Sequence, residues 1–119
     1  MNISTREIGN AMFVDVVGDI TLFSTPQVRK VLLDVLKEKL APRVVVNLGG
    51  VGYIDTAGIA SLVEGLKLSR DLKTGFALYG LSPRAREVLE LTRLMHVFEV
   101  YNTEEEALRG DRSSAAPSK

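Results

Sequence analysis

The stretch Arg43–Leu66, RVVVNLGGVGYIDTAGIASLVEGL, decides the fold. Its first part, Arg43–Leu48, is a short apolar run dense in β-branched residues, which reads as a strand buried on both faces. Gly49-Gly50 reads as a break. Asp55-Thr56-Ala57-Gly58 then leads into Ile59, Leu62, Val63 and Leu66, an apolar stripe at helical spacing that runs on to Leu72. A buried strand followed by a tight turn and an amphipathic helix is half of a β-α-β unit.

The same alternation continues outward. Upstream, Ile3–Ile8 and Ala11–Val17 flank Gly9-Asn10, a two-residue hairpin signal. Residues 19–25 read as a loop. Thr25-Pro26 opens a helix predicted over Pro26–Leu40, with Val28, Val31, Leu32, Val35 and Leu36 as its apolar face and Pro42 beyond its end. Downstream, Gly75–Tyr79 is a third apolar strand. Ser82-Pro83 opens a helix predicted over Pro83–Leu94, and Val97–Tyr101 is the last strand. Thr103 and Glu106 form a capping box for a short final helix that suits an end at Gly110. The expectation is a single α/β domain over residues 1–110. It has a mixed β-sheet, antiparallel only at the hairpin, with helices packed mainly on one face. Residues 111–119, polar and small, read as a flexible C-terminal tail. The expected core includes Val14, Val16, Val31, Leu32, Val44, Val46, Leu62, Leu66, Leu78, Leu89 and Val100.

Composition narrows the chemistry. The 119 residues carry 15 Lys+Arg and 15 Asp+Glu, a net charge of zero. That argues against direct nucleic-acid binding, which relies on excess positive charge. There is no cysteine and one histidine, His96. Disulfides, thiolate metal sites, a cysteine nucleophile and a histidine-cluster metal site are excluded. No apolar run approaches the ~20 residues that span a bilayer, so no membrane insertion is expected. Met1–Arg6 lacks a secretory pattern, and the cytoplasm is the simplest compartment.

Asp55 and Thr56 stand where a strand ends and a helix begins. Free backbone amides and the positive end of the helix dipole favour an anion there, and Thr56 offers a hydroxyl. Asp55 could orient that hydroxyl or help place a metal-bound nucleotide. Equally, one of the two could serve only as the N-cap, with Gly58 permitting close packing. An enzyme built on Asp55 and Thr56 lacks a partner base, a metal cluster and a cofactor loop, so no cofactor is expected. Gly49-Gly50-Val51-Gly52 has no Lys-Ser/Thr after it and reads as a turn rather than a phosphate loop. His96 reads as structural or surface. Arg84, Arg86 and Arg93, balanced by Glu87 and Glu90, read as a solvated face.

The segment Tyr53-Ile54-Asp55-Thr56-Ala57-Gly58-Ile59 resembles the hallmark of the STAS domain, as in bacterial anti-sigma-factor antagonists. Their motif is an apolar strand, a short loop, D-[ST]-[AST]-G and an apolar helix. The resemblance extends to Val14–Asp19, to Arg43–Leu48 and to Leu81-Ser82-Pro83. It departs at Gly18-Asp19-Ile20-Thr21, where antagonists commonly carry a second acid at the position of Thr21. The resemblance implies a non-enzymatic module that binds an anti-sigma factor, itself a serine/threonine kinase, and is switched off when Thr56 is phosphorylated. A phosphatase would reset it. The partner-binding set it implies is Asp19, Thr21, Asp55, Thr56, Ala57, Gly58 and Ile59. The alternative it leaves open is a cytoplasmic STAS subunit of a lipid-transport ABC system, docking on a permease or ATPase.

Overall fold

The computed structural model describes residues 1–38 and 41–110. The elements run β1 (Asn2–Ile8), β2 (Ala11–Val17), α1 (Thr25–Lys37), β3 (Arg43–Gly50), α2 (Thr56–Asp71), β4 (Gly75–Tyr79), α3 (Pro83–Leu91), β5 (Glu99–Tyr101) and α4 (Glu104–Arg109). The five strands form one sheet in the order β1-β2-β3-β4-β5. β1 and β2 pair antiparallel, from Asn2 opposite Val17 to Ile8 opposite Ala11. Every other pairing is parallel. Gly9 takes φ +60° in the hairpin turn, a conformation that costs glycine little.

The sheet has two unequal faces, set by the period-two alternation of its strands. Val14, Val16, Val44, Val46, Phe76 and Leu78 form the larger core with Leu32 and Leu36 of α1, Leu62 and Leu66 of α2, and Leu89 of α3. The opposite face gathers Phe13, Val45, Ala77, Tyr79 and Tyr101 under Ala107 and Leu108 of α4. The mixed sheet with its three longer helices on one face is as expected, and α4 covers the other. Val31 and Val100 depart from the expected core. Both are only half-buried and pack at its margin.

Several boundaries differ from the sequence reading. β3 runs through Gly49 and Gly50 instead of breaking there. Gly50 pairs with Val17 after a register shift between Asp15 and Val17, and a Cβ on it would lie 3.0 Å from the Val16 carbonyl oxygen. The glycines thus let two strand ends come close. Ser24 rather than Thr25 occupies the N-cap position of α1, its hydroxyl turned to the Asp19 carbonyl instead of to a helix amide, and the helix ends at Lys37. Its predicted stop at Leu40 lies outside the described residues, as does the predicted tail 111–119. α3 ends at Leu91, not Leu94, because Arg93 turns left-handed at φ +64°. The Arg93 N–H then bonds the Glu90 carbonyl (3.0 Å) and the Leu94 N–H the Leu89 carbonyl (2.8 Å), a Schellman closure. β5 starts at Glu99, two residues later than expected. No helix among the described residues is long and apolar enough to cross a membrane.

Candidate functional site

The site forms where β2 and β3 deliver their carboxyl-terminal loops to the start of α2. Gly18, at φ +117°, turns the chain out of β2, and its N–H bonds the Gly50 carbonyl at 3.0 Å. Ile20 and Ile54 then meet in an isolated parallel bridge. The Ile20 N–H donates to the Tyr53 carbonyl (3.0 Å), and the Asp55 N–H donates to the Ile20 carbonyl (3.1 Å). Both isoleucines are fully buried, so the two loops are pinned by apolar packing as well as by the bridge.

Asp55 is the N-cap of α2. Its Oδ1 accepts the Gly58 N–H at 2.8 Å, satisfying an amide that has no partner inside the helix. Its Oδ2 accepts the Leu22 N–H at 3.0 Å. One carboxylate therefore ties the start of α2 to the β2–α1 loop. Gly58 explains itself by distance, since a Cβ there would stand 2.5 Å from the Ile20 carbonyl oxygen and 2.8 Å from the Ile54 side chain. Only glycine lets the helix sit this close to the bridge.

Thr56 is the first residue of α2 and is exposed. It stands at the amide-rich end of a 16-residue helix, where the dipole favours negative charge. Ala57 is half-buried, whereas Gly58 and Ile59 are buried beneath the surface that Thr56 occupies. Of the two residues proposed from the β2–α1 loop, Asp19 is exposed. Thr21 is half-buried and organises the loop instead: its carbonyl accepts the Ser24 and Thr25 N–H groups at 2.9 Å each, and its hydroxyl accepts the Phe23 N–H at 3.3 Å. The Thr21 N–H in turn donates to Ser24 Oγ at 2.9 Å. A short polar side chain at position 21 is what this turn uses.

Three features near the site escaped the sequence reading. Leu22 and Phe23 are exposed on the loop beside Asp55. Arg84, at the start of α3, stacks its guanidinium 4.9 Å above the Tyr53 ring and so is more than a solvated charge. A groove of about 550 Å³ also leads from Thr56 along Ala60, Val63 and Lys67 of α2 towards Leu94. Arg84 and Tyr53 lie 31 residues apart and the groove runs between α2 and the turn beyond α3, so no local spacing signals either. No group of three or more His, Cys, Asp or Glu side chains among the described residues could hold a metal ion. His96 is exposed.

Comparison with known proteins places this geometry. The STAS domain family model matches residues 2–107. The anti-sigma-B factor antagonist of Listeria monocytogenes is 32% identical over 92 residues, covering 76% of this chain and 79% of that protein. The solved structure of an anti-sigma-factor antagonist (STAS) domain protein from Planctomyces limnophilus is 26% identical, covers 91% of this chain and 96% of that one, and superposes with a TM-score of 0.82. An anti-sigma factor antagonist from Mycobacterium paratuberculosis shares the fold at a TM-score of 0.83 with 24% identity over 93% of both chains. With its Asp-Thr-Ala-Gly turn at the head of α2 and a family match over nearly its whole length, this chain belongs to the STAS domain family.

Proposed function

We propose that the chain is an anti-sigma-factor antagonist that binds an anti-sigma factor when Thr56 is free and loses it when Thr56 is phosphorylated. It works by binding rather than by catalysis. One observation carries the reading: the threonine of the Asp-Thr-Ala-Gly turn is exposed at the first position of α2 in a chain 32% identical to an anti-sigma-B factor antagonist. The names borne by the relatives favour this over the transport-subunit alternative.

The switch follows from charge. The anti-sigma factor, acting as a serine/threonine kinase, transfers the γ-phosphoryl group of ATP to Thr56 Oγ1; the hydroxyl proton leaves and ADP is released. The phosphate adds about −1.5 to −2 charge beside Asp55. The start of α2 tolerates that charge, so the fold persists. A partner surface matched to a neutral hydroxyl must instead desolvate a dianion. Inverting a complex from 99:1 bound to 99:1 free takes about 5.5 kcal/mol, within reach of a buried, unpaired double charge. A phosphatase that removes the group restores binding. Asp19, Thr21, Asp55 and Ala57 form the surface around Thr56, with Gly58 and Ile59 supporting it from below. The setting is the cytoplasm, where sigma factors act.

The test uses purified anti-sigma factor kinases from the source genome, with ATP and mass spectrometry. Phosphate is expected on Thr56 alone. Thr56→Ala should stay folded and accept none. Thr56→Glu should bind the partner more weakly than the unmodified chain with its melting temperature nearly unchanged. Phosphate on another residue, or undiminished binding by the phosphorylated chain, would remove Thr56 as the switch.

A further inference from the structure

The chain has four phenylalanines. Phe13, Phe76 and Phe98 are buried, whereas Phe23 is 93% exposed and its neighbour Leu22 65% exposed. Val17 and Leu91 are exposed as well, but each stands alone in the sequence, as is common; Leu22 and Phe23 are adjacent, and contiguous apolar surface is what marks a place of contact. The loop that displays them is not slack. Thr21 caps it from within through the Phe23, Ser24 and Thr25 N–H groups, and Asp55 Oδ2 fixes the Leu22 N–H. An aromatic side chain on a fixed backbone loses little freedom when it is gripped.

We infer that Phe23, flanked by Leu22, is the apolar anchor by which this chain holds the same anti-sigma factor that reads Thr56, seated in an apolar pocket of that partner. This rests on the antagonist reading above. Continuity with the switch supports it: the Asp55 carboxylate that fixes Leu22 also caps α2 through Gly58, and Thr56 follows Asp55 in the chain. A partner covering the Thr56 hydroxyl reaches the knob without leaving one surface. Buried aromatic anchors near the centre of an interface carry most of its binding energy. Charge argues against a lipid occupant. The basic residues that follow, Arg29 and Lys30, are paired with Glu64 and Asp34, and Asp19 and Asp55 stand near the knob, whereas segments that enter anionic membranes carry an excess of basic residues. The arrangement also assigns two jobs to one surface. Phe23 supplies affinity in either state, and a phosphate on Thr56 decides whether that affinity is used.

The experiment measures the affinity of the unphosphorylated chain, Phe23→Ser and Phe23→Leu for the purified anti-sigma factor kinase by calorimetry. Melting curves accompany it, since an exposed position should leave them unchanged. Phe23→Ser is expected to weaken binding about tenfold or more, and Phe23→Leu to restore most of it. Equal affinities for the original chain and Phe23→Ser would overturn the inference. So would either of two Phe23-dependent behaviours found with partner affinity intact: self-association in sedimentation, which would make a second copy the occupant, or co-sedimentation with phosphatidylglycerol vesicles, which would make it lipid. If the unphosphorylated chain itself binds no anti-sigma factor kinase, the antagonist reading fails and this inference with it.

Discussion

Asp55 accepts two backbone N–H groups from two different elements, so its side chain holds together what the sequence separates by 33 residues. Asp55→Ala removes a helix cap and frees the Leu22 amide, and should lower stability by about 1–3 kcal/mol in urea denaturation. Gly58 makes a sharper case. Alanine normally gains about 1 kcal/mol over glycine inside a helix. Here the added methyl group would overlap the Ile20 carbonyl, so Gly58→Ala should lose about 1–3 kcal/mol net, read from the urea midpoint. An increase in stability would show that the Ile20–Ile54 bridge yields. The Asp-Thr-Ala-Gly turn and the cap were legible because a cap bonds an amide three residues on. The second bond of Asp55 was not, since Leu22 lies far away in sequence. The exposure of Phe23 was hidden for a related reason: an apolar pair before a helix looks the same whether it folds inward or out.

At the scale of elements, the strands were legible as short apolar runs, β-branched in β3 and set off by turn residues, and the helix starts because Pro26, Ser82 and Thr103 announce them. The helix ends were less so. α2 and α3 both close through a left-handed residue that is not glycine, Lys73 at φ +60° and Arg93 at φ +64°. The Lys73 N–H bonds the Arg70 carbonyl at 3.1 Å and the Thr74 N–H the Ser69 carbonyl at 2.8 Å. A left-handed conformation costs a side-chain-bearing residue roughly 1–2 kcal/mol, partly offset by the greater freedom glycine has when unfolded. Lys73→Gly should therefore raise stability by about 0.5–1 kcal/mol, measurable as an upward shift in melting temperature. Inside the helix layer, Leu62 is fully buried between α2 and the sheet, and Leu62→Ala should cost about 2–5 kcal/mol. The capping box of α4 was foreseen, with one adjustment. Thr103 Oγ1 accepts the Glu106 N–H at 3.2 Å, but Glu106 reaches back to the Asn102 N–H, one residue earlier than the usual box.

Across the whole molecule, Arg6 of β1 joins Asp15 of β2 to Glu104 of α4, and Tyr79 of β4 donates its hydroxyl to the same glutamate at 3.0 Å. Burial pushes the Asp15 pKa up, but hydrogen bonds from Arg6 and Asn47 outweigh it and leave it below the ordinary value. Arg6 and then Tyr79 hold Glu104 below its ordinary value too. Both carboxylates thus bind protons less readily when folded than when unfolded. Their contribution is present above the ordinary carboxylate pKa of about 4 and is lost as pH falls through the lower folded values. Arg6→Met should cost roughly 1 kcal/mol near neutral pH, with its partly exposed position limiting the effect, and should flatten the acid limb of a stability–pH curve. An acid limb unchanged in Arg6→Met would place the acid sensitivity elsewhere. The strand order has a consequence of a different kind. Each strand lies beside the one made just before it, so a chain emerging from the ribosome can build the sheet in the order it is synthesised, without waiting for a later strand to slip between two earlier ones. Only the last step reaches across. Until α4 appears, Phe13, Val45 and Tyr79 lie uncovered, and the last helix seals them, its first residue, Glu104, catching Arg6, a residue translated almost at the beginning.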